Sequence, residues 1–196
     1  MTYRYYHWGP PLIIGCITEE FRKGLLDRGL KLDNDFRDQL AGHLDKEKEY
    51  VSNDDKKFFV ENMQKHIDDF KKHTEFYLNK TMFTELKLKS LWINFMKRGD
   101  FNPPHTHGGD ITFVIYLDVP TEIYKQDFVN TDFNGGPGAI YFTYGDPANK
   151  WSNNMVKLKP NTGDILMFPT NLHHMVAPFK SDVTRISVSG NFEITK

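Results

Sequence analysis

The stretch from Thr81 onward reads as a series of short strands, and this pattern constrains the fold more than any other feature of the sequence. Its segments are rich in β-branched and aromatic residues and are separated by Gly, Pro, Asn and Asp, as is typical of strands joined by turns. The candidate strands span 86–96, 111–119, 139–143, 155–158, 164–168, 174–177 and 185–194. Antiparallel strands at this spacing predict a mainly β protein with a jelly roll of two packed sheets.

The residues before position 80 instead have the spacing of amphipathic helices. One short helix is predicted after Thr18, and a second one over Phe36, Leu40 and Leu44, which recur at i, i+4 and i+8. A longer helix is predicted to begin at Ser52, which resembles the first residue of a capping box. One face of this helix carries an apolar stripe made of Phe59, Met63, Ile67, Phe70 and Tyr77. We expect these N-terminal helices to pack on one outer face of the sheets.

The length and the charge of the chain limit what it can be. With 196 residues we expect a single domain over 1–196, in which a helical part (1–80) packs on a β core (81–196). The 25 basic and 26 acidic side chains give a net charge of -1, which argues against nucleic acid as the partner. The apolar runs are far shorter than the roughly 20 residues of a membrane span. The first residues lack the features of a secretory signal, so we expect a cytoplasmic protein, in the host cytoplasm if the chain is viral.

A single cysteine, Cys16, excludes an internal disulfide bond and a thiolate metal cage. It lies in the apolar run PPLIIGCI, which predicts a packed and unreactive thiol. A lone thiol also suits a reducing compartment.

The stretch 120–138 is too long for a hairpin turn. We expect it to form a flap over the mouth of the barrel. Because binding specificity is concentrated in such loops, one sequence does not reveal the substrate.

Two histidines, His105 and His107, lie two residues apart in NPPHTHGGD, directly before a strongly predicted strand. Residues i and i+2 of an extended chain point to the same side, so the two imidazoles can converge on one metal ion. Imidazole binds Fe, Zn, Cu and Ni, so the spacing alone does not select the metal. An isolated pair of this kind is also compatible with two exposed loop histidines.

Further candidates follow near the end of the sequence. His173 and His174 are adjacent, so only one of them can face a given side of a strand, and the residues after them indicate the phase only weakly. Arg185 opens a strand that is otherwise apolar enough to be buried. A buried guanidinium requires an acidic partner, which is either an Asp of the fold or the carboxylate of a ligand.

These segments, taken in order, resemble the Fe(II)- and 2-oxoglutarate-dependent oxygenases. The matching motifs are the HxH pair, GxIxFxxxDP, GDxxxFPxxLxHxVxP and RISVSxN, and the resemblance extends from about Trp92 to Phe192. Within this class, the sequence resembles the small oxygenases of marine bacteria and their phages. The resemblance implies a double-stranded β-helix, a jelly roll of the cupin-like type, with the helices packed on one sheet.

The resemblance also implies roles for individual residues. His105 matches the first iron ligand and His174 the distal ligand, which leaves His173 outside the ligand set. Arg185 matches the arginine that binds the far carboxylate of 2-oxoglutarate, and Ser187 matches a hydroxyl that assists it. Asn94, at a polar position that faces the barrel interior, is either a further co-substrate contact or a satisfied core amide.

The third metal ligand departs from the pattern of the superfamily. Most members have His-x-Asp or His-x-Glu, whereas His107 occupies the carboxylate position here. Either three imidazoles hold the iron, or Asp110 turns back across the two glycines and supplies a carboxylate. We favour His107, because a ligand two residues after His105 needs no change in backbone direction.

The implied activity is that of a dioxygenase that uses Fe(II), 2-oxoglutarate and dioxygen. It would hydroxylate an unidentified small-molecule or peptide substrate and release succinate and carbon dioxide. Two alternatives are a three-histidine cupin-type dioxygenase that does not use 2-oxoglutarate, and a non-catalytic barrel that serves as a binding module. The sequence does not fix the oligomeric state, and a homodimer is one option.

Overall fold

The structure is a computed structural model that describes residues 9–125, 135–146, 148, 151 and 153–195. Two α-helices and ten strands lie in this part of the chain. The helices are α1 (Glu19–Gly29) and α2 (Asn53–Leu78). The strands are β1 (Ile13–Cys16), β2 (Glu47–Glu49), β3 (Leu86–Met96), β4 (Asn102–His105), β5 (Ile111–Asp118), β6 (Ile140–Thr143), β7 (Met155–Leu158), β8 (Asp164–Pro169), β9 (His173–Val176) and β10 (Arg185–Ile194).

The strands form two antiparallel sheets that face each other. The larger sheet has the order β1-β8-β5-β10-β3-β2 and the smaller one the order β4-β9-β6-β7. Side chains from both sheets share one buried cluster, in which Met96 and Phe168 of the larger sheet pack with Phe142 and Val176 of the smaller one. The predicted jelly roll is therefore confirmed.

The two helices cover the outer face of the larger sheet. Each begins where its capping residue predicts, because Thr18 Oγ1 accepts a hydrogen bond from the N–H of Phe21 and Ser52 Oγ accepts one from the N–H of Asp55. Their apolar residues share a second buried cluster with the sheet. This cluster includes Phe21, Leu25, Phe59, Met63, Ile67 and Phe70 from the helices and Ile93, Phe113, Val188 and Phe192 from the strands.

The predicted helix over Phe36, Leu40 and Leu44 is wrong. The chain makes only a single 3-10 turn over Arg37–Gln39, and Leu40 is already extended. The backbone groups here bond to neighbouring strands, as when the N–H of Phe36 donates to the carbonyl of Glu47. The tertiary pairing therefore overrides the local apolar spacing.

Two further side chains differ from expectation. Tyr77 of α2 is exposed, because the buried stripe continues from Phe70 to Thr74 and leaves position 77 on the outer side. Cys16 is also exposed, because β1 is an edge strand with alternating burial and residue 16 falls on its outward face.

The remaining sequence predictions concern strand limits, the flap and the membrane. All seven predicted strands are present with ends shifted by one residue at most, whereas β1, β2 and β4 were missed. Residues 126–134 of the predicted flap lie outside the described residues. Neither α-helix in the described chain is apolar enough over a sufficient length to cross a bilayer.

Candidate metal and co-substrate site

Three histidines meet at one end of the space between the sheets. His105 ends β4 and His174 lies on β9, where the two residues are direct partners across the antiparallel pair. His107 follows two residues after β4, and its backbone N–H donates to the carbonyl of Thr170 just after β8. The site therefore draws one ligand candidate from each of two paired strands and one from the loop that joins β4 to β5.

The three side chains converge closely enough to share one metal ion. Each of them offers a ring nitrogen, and these atoms all lie within 4.8 Å of one another. The Nε2 atoms of His107 and His174 are 3.1 Å apart. No other group of at least three His, Cys, Asp or Glu side chains among the described residues has such an arrangement.

Backbone carbonyls fix the orientation of two of these rings. The Nδ1 atom of His105 lies 2.7 Å from the carbonyl oxygen of Pro103, and Nδ1 of His174 lies 2.9 Å from that of Leu172. Because a carbonyl can only accept, each Nδ1 carries the proton and each Nε2 has a free lone pair. Such contacts are those that commonly orient metal-binding histidines.

Burial keeps the three imidazoles neutral. Desolvation, together with the neighbouring rings, lowers the pKa of His107 to about 3 and that of His174 to about 4. Desolvation also lowers the pKa of His105. Neutral imidazole is the form that binds a metal ion, so all three rings have the required protonation state at neutral pH.

His173 and Asp110 lie away from this cluster. His173 is exposed on β9, on the side opposite His174, which is only 4% exposed. Asp110 is also exposed, and its Oδ2 atom accepts a hydrogen bond of 2.7 Å from the N–H of Ile194. The structure therefore brings His107, and not Asp110, to His105 and His174.

Arg185 is buried between the sheets without an acidic partner among the described residues. Its side chain is 4% exposed, with Nη1 donating to the carbonyl of Gly138 and Nη2 lying 2.8 Å from the sulfur of Met96. Its Nε atom has no hydrogen-bond partner in the part of the chain that the structure describes. Burial lowers the pKa of this guanidinium, although arginine keeps its proton in proteins.

Tyr116 of β5 is a pocket residue that the sequence analysis missed. Its hydroxyl is buried and finds no hydrogen-bond partner among the described residues, and its ring lies 5.5 Å from the guanidinium carbon of Arg185. In sequence it is one aromatic residue within an apolar strand, so only the alternation of inward and outward positions along β5 could have indicated it.

Asn94 and Ser187 lie beside Arg185 and Tyr116. Ser187 pairs with Tyr116 on one side and with Asn94 on the other, so the three side chains form a row across β5, β10 and β3. The amide of Asn94 is well satisfied, because its oxygen accepts from Trp92 and its nitrogen donates to the hydroxyls of Ser187 and Ser189.

One pocket unites these groups. Its lining contains the three histidines together with Tyr116, Arg185, Ser187 and Asn94. Three convergent imidazoles thus share a pocket with a buried cation that has no acidic partner among the described residues.

Solved structures of known proteins share this architecture. A viral collagen prolyl hydroxylase from Paramecium bursaria Chlorella virus-1, solved with 2-oxoglutarate, aligns with a TM-score of 0.56 and 15% identity over 93% of this chain and 94% of that one. A prolyl hydroxylase from Trichoplax adhaerens in complex with a peptide fragment of hypoxia inducible factor gives a TM-score of 0.58 and 13% identity, covering 93% of this chain and 83% of that one. HygX from Streptomyces hygroscopicus, with nickel, 2-oxoglutarate and hygromycin B bound, gives 0.59 and 12%, covering 95% and 83% of the two chains.

These likenesses establish the fold, which is the double-stranded β-helix. No curated protein matches the sequence. The profile of one protein family, described as "Putative 2OG-Fe(II) oxygenase", matches residues 90–191, just over half of the chain and almost all of the stretch that carries the motifs. The chain therefore belongs to the family of 2OG-Fe(II) oxygenases, enzymes that require Fe(II), 2-oxoglutarate and dioxygen.

Proposed function

We propose that this protein hydroxylates a small-molecule or peptide substrate and that His105, His107 and His174 hold its iron. The observation that carries the proposal is one pocket in which three convergent imidazoles lie near a buried arginine without an acidic partner among the described residues. The three imidazoles suit a metal ion, and the guanidinium of the arginine suits a carboxylate.

The donor set fits Fe(II). Neutral imidazole is a good ligand for iron, and a site with three protein ligands keeps further positions open for a co-substrate. The carbonyls of Pro103 and Leu172 hold two of the rings with Nε2 available. His107 supplies the third nitrogen, so no carboxylate is required from Asp110.

The polar atoms around Arg185 fit 2-oxoglutarate. A carboxylate placed there would give partners to two buried donors that now have none, namely the Nε atom of Arg185 and the hydroxyl of Tyr116. A guanidinium binds a carboxylate through charge-assisted hydrogen bonds, which are among the strongest in proteins. Ser187, two residues after Arg185 on β10, adds a hydroxyl, and Asn94 holds that hydroxyl in place.

When bound, the iron supplies the oxidising chemistry, in which one oxygen atom of O2 enters a C–H bond of the substrate and the other enters the succinate formed from 2-oxoglutarate with loss of carbon dioxide. The protein contributes binding and orientation. Phe142 and Phe168 pack around His174 with ring centroids 5.8 and 4.9 Å from its own. These apolar rings exclude water from one side of the site, which limits side reactions of a strong oxidant.

The proposal extends to the setting of the protein. We place it in the cytoplasm with no nucleic-acid partner, because the charge is nearly balanced and the one cysteine is exposed and free.

Succinate release tests the proposed function. Protein loaded with Fe(II) should convert 2-oxoglutarate to succinate in air, slowly without substrate, and should lose this activity when the iron is chelated. Iron binding without any succinate would instead indicate a three-histidine dioxygenase that does not use 2-oxoglutarate. A protein that binds no iron at neutral pH would indicate a non-catalytic binding module.

A paired substitution tests the third ligand. His107→Ala should lose iron, because one of three nitrogen donors is removed, whereas Asp110→Asn should keep it, because that carboxylate is bonded to the backbone of Ile194. Removing a ligand should weaken iron binding by more than the roughly 10 to 100-fold that follows loss of an outer contact. Iron titrations of both variants provide the measurement. Strong loss in Asp110→Asn alone would reverse the assignment.

A further inference from the structure

Glu47 is a buried carboxyl group on the wall of the same pocket. It lies on β2, where it pairs with Asn94 of β3, and only 2% of its surface is exposed. Because Asn94 pairs in turn with Ser187, and Ser187 with Tyr116, Glu47 continues the row of polar side chains to the edge of the larger sheet. Residues at matched positions of adjacent strands share a face, so Glu47 faces the pocket that it lines.

The carboxyl group of Glu47 has no donor in the described chain. Its Oε2 atom is buried without a hydrogen-bond partner. Its Oε1 atom lies close to Gly42, where an added Cβ atom would be 3.2 Å from it and 3.1 Å from Oδ1 of Asn102. Buried polar groups in proteins are nearly always satisfied, so this exception requires an explanation.

The charges around Glu47 favour a cation. Asp100 and Asp35 add negative charge, and the opposing charge of Arg37 is already bonded to both carboxylate oxygens of Asp35. Burial and Asp100 raise the pKa of Glu47 to about 7. An approaching cation would favour the ionised carboxylate and would supply the donor that it lacks.

Glu47 is well separated from the end of the pocket that holds Arg185. Adjacent strands lie about 4.8 Å apart, so two strand intervals place the backbone of Glu47 about 10 Å from that of Ser187. The co-substrate bound by Arg185 and Tyr116 therefore leaves Glu47 free for a different molecule.

We propose that Glu47 binds a positively charged nitrogen of the substrate, an ammonium or a guanidinium group. This inference rests on the proposed function, because it makes the molecule at Glu47 the one that is hydroxylated. Arg185 then binds the anionic co-substrate, and Glu47 binds the cationic group of the substrate at another position in the same pocket.

Short amino-acid probes test this proposal. The probes are Nα-acetyl-lysine amide and Nα-acetyl-arginine amide, with Nα-acetyl-glutamine amide as the neutral comparison. Each is titrated by calorimetry into protein loaded with Fe(II) and 2-oxoglutarate in the absence of oxygen. At least one cationic probe should bind about tenfold or more tightly than the neutral one, and the tighter of the two identifies the cation. Equal binding of all three probes would overturn the proposal.

Two variants assign the preference to Glu47. Glu47→Gln should abolish the tighter binding of the cationic probes. Asp45→Asn removes the same charge at an exposed position two residues away and should retain that tighter binding. A preference that survives in Glu47→Gln would overturn the proposal. Because the titrations need no turnover, protein that prefers the cations through Glu47 but releases no succinate would refute the proposed function alone.

Melting curves separate substrate binding from a structural role. No donor is lost in Glu47→Gln or Glu47→Leu, so both should melt at or above the temperature of the unchanged protein. A large decrease in both variants would show that Glu47 serves the fold and would overturn the proposal.

Discussion

Replacing His174 by alanine is expected to abolish tight iron binding, whereas His173→Ala should retain most of it. His174 is buried, and its ring is fixed by the carbonyl of Leu172, while His173 is exposed on the other side of the same strand. The loss in His174→Ala should exceed about 100-fold, since a direct donor disappears. The iron content of the two purified variants provides the measurement.

The adjacent positions make this pair a well-matched comparison. Both substitutions replace an imidazole of β9 by the same residue, so they alter the strand propensity alike. A reversed pattern would mean that the ligand comes from the outer face of β9, which would exclude the three-histidine site.

The second large effect is expected for Arg185→Lys. The point charge of lysine does not reproduce two parallel hydrogen bonds, so the concentration of 2-oxoglutarate needed for half-saturation should rise markedly. Truncating such a buried charged pair costs about 2 to 5 kcal/mol, which corresponds to roughly thirtyfold or more in affinity. A titration followed through the absorbance of the metal centre measures this change.

The stability of the protein without co-substrate distinguishes two roles for Arg185. No acidic side chain of the described chain pairs with Arg185, so its replacement breaks no ion pair and the melting temperature should change little. Unchanged affinity with a large decrease in melting temperature would show that this arginine serves the fold. The carboxylate site would then have to be sought elsewhere.

The sequence predicts the sheets and α2 well because the residues that mark their ends, turn residues and a helix cap, lie next to these elements in the chain. β3, β7 and β10 have the predicted limits, since turn residues bound each of these segments. The same holds for α2, whose first residue follows the cap at Ser52. Local propensity and tertiary packing agree in these elements, as is usual for a well-determined fold.

The errors occur where distant pairing decides the conformation. Leu40 and Leu44 have helical spacing, but their segment forms a wall of the pocket, and Leu44 packs into the cluster between the sheets. Glu47 and Tyr116 were missed for the same reason. Neither belongs to a motif, and each becomes notable only when the register of β2, β3, β10 and β5 aligns them.

The strand order of the larger sheet also determines when its central part can form during synthesis of the chain. β10 lies between β5 and β3, although it follows every other strand along the chain. Its pairs with β3 join residues as far apart as Ile194 and Leu86, so a long loop must close before the pairing of β10 with β3 stabilises the sheet. On the ribosome, α1 and α2 consequently have no complete surface to cover until residues 185–194 have emerged. A chain interrupted before that point exposes the apolar faces of β3 and β5, which makes it a substrate for chaperones.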